Sequence, residues 1–248
     1  MIIDAHFHII DPKFPVISNQ GYLPSPYTVT DYLNEIQGLD FEGGVVVSGS
    51  FQAFDQSYLL DALHRLGENY VGVTQIPSDI SDQEIIELNN KGIRAVRFNL
   101  KRGGSESVEH LAKMAHRIYD LVKWHVEIYV DSAELASLKS TILSLPKVCI
   151  DHLGLTMNGY RDLLDLVAAG VKVKASGFGR VDLDVKSALQ KINDVNPAAL
   201  MFGSDLPATR SKRRFRVEDL ELIQEIFDYK QQRKIFFHNA RDFYRLNI

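Results

Sequence analysis

The stretch Tyr70–Leu100, YVGVTQIPSDISDQEIIELNNKGIRAVRFNL, decides the fold. Its two ends, Tyr70 to Ile76 and Ile93 to Leu100, are short runs rich in Val and Ile, the composition of strands. Between them, Ser81 to Lys91 is amphipathic, opened by the oxygen-bearing cap Ser81-Asp82 and stopped by Gly92. Two strands joined through one helix of this length form a unit whose strands pair in parallel by a right-handed crossover. The same alternation extends in both directions. Strands are predicted at Ile2 to Ile9, Gly44 to Ser50, His125 to Val130, Val148 to Leu153, Val171 to Ser176 and Ala199 to Ser204, which with the first two makes eight. Helices are predicted between them at Thr30 to Leu39, Asp55 to Asn69, Glu106 to Lys123, Ser132 to Leu143, Tyr160 to Ala169 and Leu183 to Val195, then at Val217 to Tyr229 and Asn239 to Leu246. Eight such units in 248 residues predict an α/β fold of the (β/α)8 TIM-barrel type, one domain over residues 1–248. A doubly wound open sheet is the alternative. It is disfavoured because no glycine-rich phosphate loop follows an early strand and because polar residues gather at the C-terminal ends of several strands.

A chain that is 45% hydrophobic and 24% charged folds around a core, which excludes disorder. Its 28 Lys+Arg against 32 Asp+Glu, with no long run of one sign, give bulk electrostatics that recruits neither nucleic acid nor a membrane. No apolar run approaches the roughly 18 residues that span a bilayer, and the start lacks a basic leader, so a cytoplasmic protein is expected. The single cysteine, Cys149 between Val148 and Ile150, reads as a buried small hydrophobe.

Asp4-Ala5-His6-Phe7-His8 is the strongest local signal. Residues two apart on a strand share a face, so His6 and His8 point inward side by side, suited to a divalent metal or to a substrate carbonyl. A pair of structural histidines with backbone partners is the bland alternative. Asp151-His152-Leu153-Gly154 ends the sixth strand and Gly203-Ser204-Asp205 the eighth, which brings a third imidazole and a carboxylate to the same end of the barrel. The proline-rich segment Asp11 to Pro26 is expected as an ordered loop covering that end.

With these residues in place the chain resembles the amidohydrolase superfamily, whose barrels carry His-x-His on strand one, a histidine on strand six and an aspartate on strand eight. The closing Phe237-His238-Asn239-Ala240-Arg241-Asp242-Phe243-Tyr244 is similar to that family's C-terminal helix. The resemblance departs from binuclear members at strands four and five, where Arg97 and Tyr129 stand in place of a bridging Lys or Glu and a His. Arginine stays protonated and ligates no cation, so two metals are not expected. His125 lies four residues before Tyr129, too early in its strand to serve as the missing ligand.

The basic and phenolic residues are closest in motif to the metal-independent lactonase branch, typified by 2-pyrone-4,6-dicarboxylate lactonases. That resemblance implies a hydrolase acting on a small anionic lactone, with Asp205 as general base and His6, His8 and His152 polarising the carbonyl. Substrate would be bound by Tyr27, Ser50, Arg97, Arg102, Tyr129 and Arg180. Structural readings stand beside these: a solvated loop charge for Arg102, and a salt bridge from Arg97 to Glu127 or Asp131. Arg94, of opposite parity to Arg97, is expected to face the helices, and Lys174 to reach the interior or pair with a buried acid. No cofactor is required on this reading. One divalent metal, zinc, held weakly by His6, His8, His152 and Asp205, is allowed, since Arg97 adds positive charge against it. Two rivals remain: a mononuclear zinc decarboxylase or amide hydrolase on the same four ligands, and a non-catalytic barrel that binds without turnover. The oligomeric state is left open.

Overall fold

The computed structural model describes residues 1–248, in which eight strands pair in parallel in strict chain order. They are β1 (Ile2–Phe7), β2 (Phe41–Val47), β3 (Tyr70–Thr74), β4 (Ile93–Asn99), β5 (His125–Tyr129), β6 (Val148–Ile150), β7 (Lys172–Ser176) and β8 (Leu200–Gly203). Helices α1 (Val29–Glu35), α2 (Ser57–Leu66), α3 (Asp82–Asn90), α4 (Leu111–Val122), α5 (Leu135–Ser144), α6 (Tyr160–Ala168) and α7 (Val185–Val195) alternate with them. This is a (β/α)8 barrel in a single domain. No helix is long and apolar enough to cross a membrane.

The barrel closes between β1 and β8 just beyond the end of β8, where the Asp205 N–H donates to the His6 carbonyl and the His8 N–H to the Leu206 carbonyl. Asp4 reinforces the seam. Its buried carboxylate accepts from the Ser204 N–H at 2.8 Å, the Ser204 hydroxyl at 2.6 Å and the Tyr32 phenol of α1 at 3.2 Å. Gly203 lets the strands approach, because a Cβ there would lie 2.8 Å from the His6 backbone nitrogen.

Two apolar layers follow from strand alternation. One packs the outer faces of the strands, such as Val46, Val96, Phe98 and Ile128, against the helices. The other fills the barrel axis with Ile3, Ala5, Val45, Val47, Val71, Val73 and Met201, and is plugged by Phe237, Phe243, Tyr244 and Leu246. Alternation also sends Arg94 outward, where its guanidinium donates to the Asn89 carbonyl of α3.

Several predicted boundaries shift for local reasons. The segments starting at Glu106 and Ser132 open as 3-10 turns, Val108–His110 and Ser132–Glu134, before α4 and α5. The helix predicted at Val217 to Tyr229 is α8 (Glu218–Ile226), ended by extended Phe227; Asp228 then caps a separate α9 (Tyr229–Arg233). A π turn, Lys234–His238, joins α9 to α10 (Asn239–Tyr244). β6 is half its predicted length because His152 and Leu153 adopt left-handed φ of 51° and 53° and turn the chain out of the sheet.

Candidate active site

At the C-terminal mouth the strand ends converge on a narrow polar cleft, lined among others by His8, Ser50, Arg97, Asn99, Arg102, Tyr129, His152 and Arg180.

His6 and His8 stand together with ring centroids 5.0 Å apart, but not through simple alternation. Ile3 and Ala5 already face the axis, and a register irregularity between Asp4 and Phe7 lets His6 face it as well. His152 reaches the same point through its left-handed turn, 4.6 Å from the His6 ring. Gly177 makes room for it, since a Cβ there would lie 2.7 Å from His152 Nδ1. Asp205, itself at φ 60°, brings Oδ1 to 3.8 Å, 3.6 Å and 3.9 Å from the Nε2 atoms of His6, His8 and His152. Sparsely populated backbone at these positions fits a functional site.

Neighbouring groups behind the imidazoles fix each ring. His8 Nδ1 lies 2.7 Å from the Val47 carbonyl, an oxygen that only accepts, so Nδ1 carries hydrogen and Nε2 of the neutral ring is bare. His152 Nδ1 meets Ser176 Oγ at 2.9 Å, and burial pushes its pKa down to about 3. His6 Nδ1 faces the Lys174 ammonium at 3.0 Å. Burial and then Lys174 hold His6 well below the usual imidazole range. Groups of ligand-bearing atoms within metal-binding reach of one another, His6–His8–Asp205 and His6–Asp151–His152, are therefore present.

Charges in and under the mouth come in pairs. Arg97 donates to Asp151 at 2.8 Å and 3.0 Å and to the Ser48 carbonyl, so its partner is Asp151 and not the Glu127 or Asp131 expected from sequence. Arg97 on β4 and Asp151 just beyond β6 meet over the intervening β5, whereas Glu127 is taken by Lys174, and Asp131 by Lys101 and Thr156. Arg180 pairs with Asp205 Oδ2 at 2.5 Å and 2.7 Å. Burial opposes ionisation of Asp205, but Arg180 together with His152, His8 and His6 outweighs it and holds the carboxyl well below its usual range. Lys174, fully buried, pairs with Glu127 at 2.5 Å and lies 3.5 Å from Asp151, so it both reaches the interior and meets buried acids. His125 sits below the mouth, 3.4 Å from Glu127.

Ser50, Arg97, Arg102, Tyr129 and Arg180 reach the cavity, as do His8 and His152, with His6 and Asp205 beneath. Tyr27 does not. Its phenol donates to Glu35 at 2.8 Å and its backbone pairs with Ile10, which turns the ring toward α1 and Arg214. Burial, then the Glu35 carboxylate, raises its pKa.

Sequence reasoning missed Arg210, which joins the lining from the loop after β8. Arg210 is held by the Asn19 carbonyl, by Asn19 Oδ1 at 3.0 Å and by the Tyr22 ring at 4.5 Å. It therefore ties down the proline-rich loop, whose Asn19 also accepts from Ser50 and donates to the Arg102 carbonyl. Its only sequence signal was position, five residues after Asp205. Neither Arg102 nor Arg210 has a carboxylate partner, and Arg102 Nε is buried with no acceptor. Burial, then Arg102, depress the Arg210 pKa, the expected effect of like charges gathered without an anion.

The chain is similar to several known hydrolases. A 2-pyrone-4,6-dicarboxylate hydrolase from Comamonas testosteroni is 31% identical over 157 residues, 61% of this chain but only 51% of that protein, so the alignment spans about half of the relative's length. A 4-sulfomuconolactone hydrolase from Hydrogenophaga intermedia is 26% identical over 224 residues, 82% of this chain and 74% of that one. Among solved structures, one described as a probable 2-pyrone-4,6-dicarboxylic acid hydrolase from Acinetobacter baumannii superposes with a TM-score of 0.85 at 23% identity, covering 98% and 99% of the two chains, and so shares the fold. A sequence model of the amidohydrolases matches residues 3–246, and the chain belongs to the amidohydrolase family.

Proposed function

We propose that this protein hydrolyses a small lactone that bears at least one further acidic group. The relatives named above open lactones, but the observation that carries the reading is electrostatic. Arg97 and Arg180 are neutralised by Asp151 and Asp205, whereas Arg102 and Arg210 bring two uncompensated guanidiniums to the rim of the same cavity. A ligand that supplies the missing negative charge is favoured, and the planar fork of arginine suits a carboxylate or sulfonate.

With the ligand's acidic group drawn to the rim, its ring ester lies over Asp205 Oδ1, an acceptor without a protein partner. Water attacks the acyl carbon, its O–C bond forms, and Asp205 takes the proton. His6 and His152 stabilise the oxyanion; His8, whose hydrogen is spent on Val47, is suited instead to accept from the water, a narrower role than the sequence implied. The ring C–O bond then breaks and the leaving oxygen takes the proton back from Asp205, giving an open hydroxy acid. Anionic substrate also helps the base. Arg180 holds Asp205 in the free protein, and a substrate carboxylate competing for that guanidinium raises the basicity of Asp205.

Zinc does not fit this donor set as a four-ligand site. His8 offers a bare Nε2, but the ammonium of Lys174 occupies the lone pair of His6 Nδ1 and leaves hydrogen on the nitrogen that faces Asp205. No step above passes through a metal, and activity should survive chelation.

Asp205→Asn tests the assignment. It should lower kcat by about 100-fold or more, the range for loss of a general base, while the purified protein keeps its circular dichroism and substrate affinity. Hydrolysis near the unmodified rate would rule Asp205 out as the base.

A further inference from the structure

Under the histidines lies a buried polar column that touches no reacting atom in the proposed chemistry. The Tyr244 phenol of α10 donates to Glu127 Oε1, and Glu127 Oε2 accepts from Lys174. The three hydrogens of the Lys174 ammonium face three acceptors: Glu127 Oε2 at 2.5 Å, His6 Nδ1 at 3.0 Å and Asp151 Oδ1 at 3.5 Å. An ammonium donates and never accepts, so the imidazole nitrogen it meets carries a lone pair and no hydrogen. A neutral imidazole with bare Nδ1 bears its hydrogen on Nε2.

The opposite tautomer would donate from Nδ1 to Asp151 Oδ1, also 3.5 Å away, but it would press an N–H against the ammonium. At the other end of the ring, His6 Nε2 and Asp205 Oδ1 are 3.8 Å apart, both buried and both without a protein partner. One donor and one acceptor in that relation grip a single small oxygen-bearing group. Two acceptors would hold only a group with two hydrogens to give, such as water, and could not donate to a developing oxyanion.

We propose that Lys174 is a positioning residue that locks His6 in its Nε2–H tautomer, making His6 a hydrogen-bond donor beside Asp205 rather than a metal ligand. Glu127 and Tyr244 hold the ammonium in place, so the lock is anchored on the C-terminal helix. The catalytic consequence rests on the lactonase reading, whereas the tautomer itself does not.

Long-range 1H–15N NMR of protein labelled in its histidine rings tests the lock, with His6 assigned by the signals lost in His6→Asn. In the wild type, His6 should show a bare Nδ1 and protonated Nε2, and His8 the reverse. Lys174→Met strands the Glu127 charge and risks the fold. The informative variant is therefore Lys174→Met with Glu127→Gln, which removes the ion pair as a unit. In it His6 should change to the Nδ1–H form, and zinc titrated calorimetrically should bind at least about tenfold more tightly than to wild type, the order gained with one more ligand. Glu127→Gln alone keeps Lys174 and should keep the wild-type His6 pattern.

On a lactone that the wild type hydrolyses, the double variant should lose at least about tenfold in kcat with KM little changed, the mark of an interaction made in the transition state. Protonated Nδ1 on His6 in the wild type, or an unaltered His6 pattern in the double variant, overturns the proposal. A tautomer change in the double variant, with no lactone hydrolysed by the wild type, upholds the lock and sinks the lactonase reading.

Discussion

Arg97 and Arg102 carry the same charge to the same cavity in opposite circumstances. Arg97 is buried and bonded through all three of its nitrogens to Asp151 and Ser48, while the Arg102 side chain has no acidic partner. Substitution should separate them. Arg97→Ala strips Asp151 Oδ2 of its guanidinium and leaves the buried carboxylate only Lys174 at 3.5 Å, so it should cost stability, about 3 kcal/mol by urea denaturation. Arg102→Ala should leave stability nearly unchanged, yet raise KM at least about tenfold for a dicarboxylate lactone, as expected for one charge-assisted pair. A neutral lactone should respond little. Equal losses on charged and neutral lactones would make Arg102 structural. The sequence displayed both arginines, but it could not display Asp151 as the partner of one, because that pairing spans 54 positions and exists only when β4 and β6 are set on either side of β5.

Among elements, β1 and β8 show why the barrel was readable while the aim of its site residues was not. Eight β-branched runs and their caps follow from local composition, and the structure keeps every one as a strand. His6 faces inward because the register slips between Asp4 and Phe7, and His152 because two left-handed residues end β6 early, neither of which has a composition signal. Tyr27 turns away from the lining for a related reason: proximity to the mouth in sequence did not reveal that Glu35, eight residues on, would claim its phenol. The β1–β8 seam itself depends on Asp4, whose carboxylate satisfies both the backbone and the hydroxyl of Ser204 next to Asp205. Asp4→Ala should therefore cost about 2–4 kcal/mol, from stranded buried donors, and lower kcat by shifting Asp205. A variant as stable and active as wild type would show that the seam holds without Asp4.

Taken as one body, the barrel buries uncharged imidazoles, and this sets a pH window. Burial pushes His125 down to about 4 and His152 to about 3, against roughly 6.5 for an unfolded histidine, so the unfolded chain binds more protons in between. The stability they confer is fully present above about pH 6.5 and is lost as pH falls toward 4 and below, on the order of 3 kcal/mol from His125 alone. Asp4, raised by burial from 3.8 to about 6, acts in the opposite sense between those two values, which is most of that window. His125→Gln should flatten the fall in urea midpoint between pH 6.5 and 4; an unchanged slope would exclude His125 as its source. The plug of Phe237, Phe243, Tyr244 and Leu246 has a consequence in time as well as in space. A ribosome makes these residues after every strand, so the growing chain can line up all eight strands and still leave the floor of its barrel open to water. Until Tyr244 arrives, Glu127 keeps one oxygen short of its phenol donor, and the unfinished axis leaves apolar surface of the kind through which folding chains associate.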